Sequence, residues 1–371
     1  MPENICSVQI VSGRVYEYRK ERQFLVGEGR FGTVYRGVNR QDSSDLVALK
    51  VLPFNMQRDR KRRTALRLEF EAMRNLRHEN LERVFDLVEK PELTLVLELV
   101  SGVDLRAIIE KKNPFTLEQK IDVMVKTLRG LGCLHDHNIY HGDMKPDNVI
   151  VDWPTVKIVD YGMAQLGMPG AGIGAFLRSL LGKKSADEVE PLGASPAYMA
   201  PEQIEKRSIN RRSDIYSTGM AFLYWFSRAD WPVFPLVAVE RGGMDERRMS
   251  RLLDRRSTEM DPERKMLVQM TVHDHMNSDI PPIQRSLTDE FAAQDEQQIR
   301  RELTRILFKM LRRDAYGRLG KNRNSAEKWF MDTYNNSAEV IKDVMFVKGL
   351  IQEARARAEQ TAKKNDPPSS P

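Results

Sequence analysis

The sequence is poor in the residues that build cross-linked or membrane-embedded proteins. It has two cysteines, Cys6 and Cys133, and no CxxC motif or Cys/His cluster in 371 residues, which excludes a disulfide framework and disfavours a structural zinc site. The longest apolar run, residues 220–226, is far shorter than the about 20 residues that span a bilayer. The first residues lack a basic stretch followed by an apolar one, so we expect a cytoplasmic protein without a transmembrane segment or export signal.

A strong excess of charge of one sign is also missing. The 59 basic residues are offset by 53 acidic ones, for a formal net charge of +6. Because the net field is modest, the composition does not predict a specific nucleic-acid partner. The hydrophobic fraction of 41% is enough for a large core in two domains or one two-lobed unit. The oligomeric state leaves no signal in the sequence.

Two patterns of apolar residues divide the chain. From about residue 24 to residue 99 apolar residues alternate as in strands, with one helical stretch at about 60–76. After Gly102 spacings of three and four predict the helices 105–110, 117–136, 213–227 and 295–311. Two short strand-like runs, 149–151 and 156–159, predict a hairpin among these helices. The predicted fold class is therefore α+β.

A glycine-rich turn lies between two of the predicted strands. Residues 27–34 read Gly-Glu-Gly-Arg-Phe-Gly-Thr-Val, and glycines let backbone N–H groups approach phosphate oxygens without a Cβ in the way. A GxGxxG turn can also open a dinucleotide-binding helix, but here a strand follows. We therefore predict that the nucleotide is bound by Gly27, Glu28, Gly29, Arg30, Phe31, Gly32 and Val34.

A lysine at the end of the next strand suits the same nucleotide. Lys50 closes the apolar run 47–50, where a lysine is either an edge-strand surface residue or, paired with the glycine-rich turn, a phosphate ligand. Such a lysine needs a carboxylate to fix its position, and the following helix offers Glu69 and Glu71. We predict Glu69, because it shares a helix face with Met73.

A polar loop before the predicted hairpin carries the groups that phosphoryl transfer requires. Residues 141–148 read His-Gly-Asp-Met-Lys-Pro-Asp-Asn. Phosphoryl transfer needs a carboxylate to orient the incoming hydroxyl, a cation for the moving group and oxygen ligands for Mg²⁺. Asp143, Lys145 and Asn148 supply these in order. Asp160, after the second strand of the hairpin, supplies a second oxygen ligand for the metal.

In this order the motifs resemble those of the eukaryotic-type (Hanks-type) serine/threonine protein kinases over about residues 24–318. The resemblance implies a bilobal kinase fold, with a small antiparallel β-sheet N-lobe carrying one main helix and a larger helical C-lobe. It also implies transfer of the γ-phosphoryl group of ATP, with Mg²⁺, to protein substrates. Lys145 marks the serine/threonine form of the catalytic loop.

The resemblance also sets domain boundaries along the chain. It implies an N-terminal extension at 1–20, a kinase N-lobe at 21–100, and a C-lobe at 101–335 that holds a long activation segment at 160–202. A C-terminal helix and tail follow at 336–371. The tail from about residue 354 ends in polar, Pro/Ser-rich sequence, and we expect it to be flexible.

Further roles follow from the resemblance and not from the patterns themselves. Nucleotide contacts are implied for Ala48, Glu98, Val100, Asp104 and Ile150, with Leu97 as gatekeeper. Bracing of the catalytic loop and of the C-lobe is implied for Asp214 and for a pair between Glu202 and Arg318. Met73, Val84, His141 and Tyr161 match the positions that stack into a regulatory spine, and ordinary core packing is a compatible interpretation.

The loop departs from the family at one position. It reads His-Gly-Asp where the family has His-Arg-Asp, and Gly142 has no guanidinium to hold a phosphorylated activation segment. We therefore predict that activity does not depend on phosphorylation there, including at Ser179 and Ser185. The amphipathic centre of the segment, residues 174–185, can pack on the protein's own large lobe or dock on a partner or membrane.

Two rival functions stay open at this point. The His-Gly-Asp wording with Asn148 also resembles small-molecule kinases of the aminoglycoside and choline type, although Lys145, Asp214 and Arg318 belong to the protein kinase pattern. A catalytically dead scaffold is the second rival. The predicted catalytic set, Lys50, Glu69, Asp143 and Lys145 with the metal ligands Asn148 and Asp160, is complete and disfavours it.

Overall fold

A computed structural model of the chain describes residues 5–29, 32–52, 57, 59–111, 115–161, 165–166, 198–200, 203, 209–227, 293–311 and 334–365. Within them an antiparallel sheet with one main helix precedes a helical part, in the α+β arrangement that the sequence predicts. In the part of the chain covered by these ranges, no helix is long and apolar enough to cross a membrane.

Seven strands form the sheet of the N-lobe. They are β1 Ile5–Gln9, β2 Val15–Arg19, β3 Leu25–Gly29, β4 Gly32–Asn39, β5 Leu46–Val51, β6 Val84–Val88 and β7 Thr94–Glu98. Their order is β1-β2-β4-β5-β7-β6, with β3 paired to β4, and all pairs are antiparallel. Strand β5 lies inside the sheet, and its residues 47–50 are buried, which suits its nearly continuous apolar sequence.

The first two strands extend this sheet from within residues 1–20. β1 and β2 form a hairpin, and β2 pairs with β4 through Tyr16↔Asn39 and Glu17↔Val38. Val8, Tyr16 and Tyr18 are buried and pack with the outer face of β5. The segment set apart as an N-terminal extension thus contributes two strands to the N-lobe sheet, which the alternation pattern starting at residue 24 did not reveal.

Helix α1, Arg60–Met73, lies against the sheet through one face. Leu66 and Met73 are each 1% exposed and Phe70 packs against the same core. The spacing of these residues places them on one side of a 3.6-residue helix. Full burial of such side chains stabilises by roughly 1.5–3 kcal/mol each. Glu69 shares this inner face and is also buried.

Five helices of the C-lobe side are described: α2 Leu105–Glu110, α3 Leu117–Asp136, α4 Arg211–Ser227, α5 Ala293–Met310 and α6 Ser337–Asn365. α3 begins with a capping box, in which Thr116 and Gln119 satisfy each other's backbone N–H. α4 is buried at every position from Ser213 to Phe226, so it is a central core helix. The five short strands are β8 Val103–Asp104, β9 Ile139–Tyr140, β10 Val149–Asp152, β11 Thr155–Ile158 and β12 Gln165–Leu166.

The C-terminal helix corrects one expectation. The sequence from about residue 354 was predicted to be a flexible tail, but α6 continues to Asn365 with Ala354 only 1% exposed. Ile351 and Ala354 continue the buried stripe of this helix, and Arg355 pairs with Glu118 of α3 at 2.9 Å. The local composition does not predict the packing of Ala354 or the ion pair of Arg355. These contacts hold the helix against its neighbours at this point.

Candidate active site

Lys50 is the charged centre of the cleft-side face of the sheet. Its backbone lies between Val34 of β4 and Leu95 of β7. Its Nζ donates to both carboxylate oxygens of Glu69, each at 2.9 Å, and to Oδ1 of Asp160 at 2.9 Å. One ammonium group therefore joins the sheet, helix α1 and the segment after β11.

Glu69, and not Glu71, is the helix partner of this lysine. The side chains of Lys50 and Glu69 are 5% and 1% exposed, whereas Glu71 pairs with Arg74 on its own helix at 3.2 Å. A buried pair of this kind needs good geometry and hydrogen bonds to offset desolvation, and the forked contact with Glu69 provides both. Breaking it would leave a buried charge without compensation.

Lys50 and Asp160 are both ionised in this cluster. Burial lowers the pKa of Lys50, but the Asp160 and Glu69 carboxylates raise it further, so it lies above the usual value. The Lys50 ammonium lowers the pKa of Asp160 to about 2, against the opposing effect of burial. Asp160 is therefore an anion at neutral pH, and its side chain is 45% exposed, so it can reach a group in the cleft.

The catalytic loop holds its polar groups in a fixed arrangement. Nζ of Lys145 lies 3.0 Å from Oδ2 of Asp143, and Nδ2 of Asn148 donates to the backbone carbonyl of Asp143 at 2.8 Å. The backbone N–H of Val159 donates to the carbonyl of Asn148 at 3.0 Å. This last bond ties the loop to the strand end that carries Asp160.

Asp214 of helix α4 stabilises the catalytic loop through hydrogen bonds to its backbone. Its carboxylate accepts the backbone N–H groups of His141 and Gly142, each at 2.8 Å, and lies 2.9 Å from Nε2 of His135. A carboxylate that accepts backbone N–H groups from consecutive residues fixes the intervening peptide plane. The resemblance implied the role of Asp214, whereas His135 had no sequence signal.

Asp160 has a left-handed backbone, with φ of +61°, which turns the chain sharply after β11. The next side chain, Tyr161, is 1% exposed and its ring packs edge-on against His141 at 5.7 Å between centroids. Its hydroxyl donates to the carbonyl of Ile158 at 2.7 Å and accepts the N–H of Glu82 at 3.0 Å. The turn that presents Asp160 is thus held by a buried tyrosine.

The four residues expected to form a spine are all buried. Met73, Val84, His141 and Tyr161 belong to the core, and the ring contact joins the last two. Their functional role as a spine stays a prediction.

Glu82 is a buried carboxyl group that sequence analysis missed. It is 8% exposed and lies near the charges of Lys50, Glu69 and Asp160. Burial raises its pKa from 4.5 to about 8; Glu69 and Asp160 act in the same direction, while Lys50 and a backbone hydrogen bond from Asp160 oppose the rise. Glu82 lies between Leu81 and Arg83, just before β6, and this local sequence gave no sign of a buried environment.

Glu82→Gln should flatten the dependence of folding stability on pH. The folded protein binds the Glu82 proton more tightly than the unfolded chain, so the stability contribution of this group is complete below pH 4.5 and is lost as the pH rises to about 8. The loss amounts to about 1.4 kcal/mol per pH unit between these limits. Glutamine has no proton to lose, and thermal unfolding of the nucleotide- and metal-free protein from pH 5 to 8.5 measures the difference.

The matched control is Glu353→Gln, the same exchange at an exposed residue of α6. An identical pH slope in the wild-type protein and the Glu82 variant would contradict the prediction.

The predicted nucleotide pocket is lined by residues in register on neighbouring strands. Ala48 of β5 pairs with Leu97 of β7, both buried, and Val34 pairs with Gly27 across the glycine-rich turn. Asp104 pairs with Ile150. Four of these residues therefore lie on paired strands of the N-lobe sheet, and the other two on the separate β8–β10 pair.

Other predicted nucleotide residues also have structural partners. The Asp104 side chain caps α2 by accepting the N–H of Ala107 at 2.8 Å, and the Glu98 carboxylate pairs with Lys157 at 2.9 Å. Val100 follows the end of β7. Glu28 and Gly29 belong to β3, opposite Thr33 and Gly32.

Gly32 is required by geometry. Its φ is +150°, and an added Cβ would lie 2.8 Å from the carbonyl oxygen of Val51. At this point the backbone of β4 therefore lies very close to the end of β5, next to Lys50. No other residue fits without displacing the backbone.

Several predicted residues lie outside the described part of the chain. They are Arg30 and Phe31 of the glycine-rich turn, Ser179, Ser185, Glu202, Arg318 and the amphipathic stretch 174–185.

The side-chain oxygens of Asn148 and Asp160 are suitable ligands for a magnesium ion. Asp160 offers an ionised carboxylate, and the bond from Nδ2 of Asn148 to Asp143 turns its amide oxygen to the opposite side. Hard oxygen ligands suit Mg²⁺, which is commonly held by one or two protein groups together with water and substrate phosphates. Among the described residues there is no cluster of three or more His, Cys, Asp or Glu side chains that could hold a metal ion by itself.

Comparison with known proteins points to one family. The family model described as "Protein kinase domain" matches residues 20–330. This range includes Lys50, Glu69, the catalytic loop and Asp160.

Curated relatives agree with this match. A probable serine/threonine-protein kinase PknB of Lactococcus lactis subsp. lactis (strain IL1403) is 29% identical over 210 residues, covering 56% of this chain and 31% of its own length. Serine/threonine-protein kinase 36 of Pongo abelii is 31% identical over 53% of this chain and 14% of its own length. Serine/threonine-protein kinase D3 of Homo sapiens is 33% identical over 53% and 21%. The matched regions thus span about a third or less of these relatives.

Proposed function

Since the chain belongs to the protein kinase family, as its resemblance predicted, we propose that it transfers the γ-phosphoryl group of ATP to serine or threonine hydroxyls of protein substrates. The proposal assigns catalysis to Asp143, Lys145, Lys50 and Glu69. A cytoplasmic location, where ATP is abundant, is part of it.

The observation that supports this function best is the forked contact of Lys50. Its ammonium group bonds to Glu69 and Asp160 at the same 2.9 Å, so the helix, the sheet and the metal-ligand segment are assembled together. Protein kinases need this lysine–glutamate pair and the metal-binding aspartate in place for phosphoryl transfer. A buried ion pair is often no more stabilising than packed apolar side chains, which favours a functional reason for this cluster over a purely structural one.

Each residue then has a definite task. The Asp143 carboxylate orients the substrate hydroxyl and accepts its proton, and the Lys145 ammonium, 3.0 Å from that carboxylate, supplies positive charge to the moving phosphoryl group. Lys50 binds phosphate oxygens of the nucleotide while Glu69 fixes its position. Mg²⁺ held by Asn148 and Asp160 would neutralise phosphate charge.

We further propose that activity does not require phosphorylation of the activation segment. Gly142 has φ of +78° and no side chain that could bind a phosphate. Its backbone N–H is instead held by the Asp214 carboxylate, so the loop has an internal brace that uses no phosphate. This supports a loop geometry that forms without modification.

The function is tested by incubating the purified chain with labelled ATP and Mg²⁺ and, in separate reactions, with generic protein substrates, an aminoglycoside or choline. Asp143→Asn is the control. Label that appears on protein with the wild-type chain, but not with Asp143→Asn, supports the proposal. Label on aminoglycoside or choline but not on protein would favour a small-molecule kinase, and no label anywhere would favour a scaffold.

The double variant Ser179→Ala/Ser185→Ala should keep its activity within about 2-fold of wild type. Position 142 is a glycine and has no arginine side chain that could bind a phosphate on the activation segment. Initial rates on the same protein substrate measure this. Ser195→Ala is the contrasting variant. Ser195 lies in the stretch Gly-Ala-Ser-Pro-Ala-Tyr at 193–198, which resembles the kinase segment where a threonine bonds to the catalytic aspartate and lysine, so this variant should lose activity through poor substrate alignment. Inactivity of the double variant at normal folding stability would contradict independence from phosphorylation.

A further inference from the structure

Gln203 is a buried side chain that joins two functional segments. It is 1% exposed. Its Oε1 accepts the backbone N–H of Ala200 at 2.9 Å, and its Nε2 donates to the carbonyl of Gly142 at 3.1 Å. Its own backbone N–H donates to the carbonyl of Ala200 at 2.9 Å. A single amide group therefore links the end of the activation segment to the catalytic loop.

The carbonyl that Gln203 binds belongs to the peptide group preceding Asp143. The other end of that peptide, the N–H of Asp143, donates to Nδ1 of His141 at 3.3 Å. The peptide plane is thus held at both ends, by Gln203 at the oxygen and by His141 at the nitrogen. Because rotation of this plane would swing the Asp143 carboxylate, the two bonds fix its direction.

Gly142 makes this restraint important. A glycine at φ of +78° has wider conformational freedom than any other residue, and no side chain anchors it in the core. The Asp214 carboxylate fixes its N–H at 2.8 Å, and Gln203 is the partner of its carbonyl. Without Gln203 the peptide after the glycine would lose one of its two bonds and keep the longer one, 3.3 Å from the Asp143 N–H to His141.

The other side of the bridge reaches residues 198–200. Tyr198, Met199 and Ala200 are 3%, 8% and 0% exposed, so this stretch is docked on the lobe. The bond from the Ala200 N–H to Gln203 spans three residues and attaches the amide to this docked stretch. The amide of Gln203 therefore joins the stretch to the Gly142–Asp143 peptide.

We propose that Gln203 is a positioning residue that couples docking of residues 198–200 to the alignment of Asp143. This inference rests on the proposed function, because alignment of Asp143 matters only if it acts on a hydroxyl. In this proposal the Gln203 amide fixes the geometry of the catalytic loop. The family's arginine, which would bind a phosphate on the activation segment, is replaced here by Gly142. The bridge reaches neither Lys50 nor Asp160, so it should affect turnover and not nucleotide binding.

Two variants test the coupling. Gln203→Met keeps the length of the side chain and loses both hydrogen bonds. Gln203→Glu keeps an acceptor for Ala200 and places an oxygen against the Gly142 carbonyl. We expect both to lower kcat for protein phosphorylation by about 10- to 100-fold with the KM for ATP within about 2-fold of wild type. Tyr334→Phe is the control, because it removes a 2.7 Å hydroxyl bond to Asp343 in the same lobe away from the loop.

Hydrogen exchange of residues 141–148 gives a readout that does not depend on activity. Faster exchange in both Gln203 variants, but not in the Tyr334 variant, supports the coupling. Wild-type exchange and wild-type kcat in folded Gln203→Glu would overturn it, as would an equal loss of kcat in the Tyr334 control. If the wild-type chain labels no protein, the proposed function fails, and exchange alone then decides whether Gln203 restrains the loop.

Discussion

Asp143→Asn should lower the rate of protein phosphorylation by about 10²- to 10⁴-fold, the range that a positioned general base contributes. Asparagine has nearly the same shape and can keep the contact with Lys145, which lies 3.0 Å from the carboxylate. It has no negative charge to accept the hydroxyl proton. Nucleotide affinity should change little, because Lys50, Asn148 and Asp160 are untouched. Steady-state kcat and a titration with fluorescent nucleotide separate the two effects.

Asp152→Asn is the control for this substitution. Asp152 is exposed at the turn of the β10–β11 hairpin, so the same chemical change there should leave kcat unaltered. A variant at Asp143 that phosphorylates protein at the wild-type rate would refute the assignment of the catalytic carboxylate.

Lys50→Met should cost both activity and stability. It removes the ammonium from a buried pair whose side chains are 5% and 1% exposed, and breaking such a pair typically costs about 3–5 kcal/mol because a charge is left uncompensated. The carboxylates of Glu69, Glu82 and Asp160 then repel one another. Because Lys50 lowers the pKa of each of these groups in the wild-type protein, the folded variant binds their protons more tightly, and the loss should grow from pH 5 to pH 8 as those protons are given up. Urea unfolding at both pH values and the KM for ATP, expected to rise at least about 10-fold, measure the two effects.

Lys348→Met provides the comparison. Lys348 pairs with Asp122 between α6 and α3, with side chains 20% and 25% exposed, and a partly exposed pair of this kind contributes about 0–1 kcal/mol. Its loss should not alter the KM for ATP. Equal destabilisation by the two variants would show that the Lys50 cluster is no more than an ordinary ion pair.

The elements with strong periodicity were predicted well. Helices 105–110 and 117–136 were predicted at the observed bounds, because apolar spacing and caps lie within the segments themselves. β1 and β2 were missed because each is only five residues long, and a short run gives a weak periodic signal. The continuation of α6 past residue 354 was missed for a different reason. Its residues contact Glu118 and Asp295 on other helices, and local composition does not report such contacts.

The site divides in the same way. The roles of the glycine-rich turn, Lys50, Asp143, Lys145, Asn148 and Asp160 were all predicted from the types and spacing of residues. Glu82 and Gln203 were not, because each acts through neighbours far away along the chain. Gln203 reaches Gly142 across an interval of 61 residues, and no spacing rule reports that distance.

The sequence by itself determined which groups are present and which chemistry is predicted for them: a phosphate-binding turn, one lysine, a catalytic aspartate and two metal ligands, in the order of the protein kinase family. Tertiary structure decided which of two glutamates bonds to Lys50 and which side chain fixes the peptide beside Asp143. Residue types set what a group can do, and their spacing sets local geometry. Burial, charge separation and contacts between distant segments arise only when the chain is folded, because they depend on positions in space.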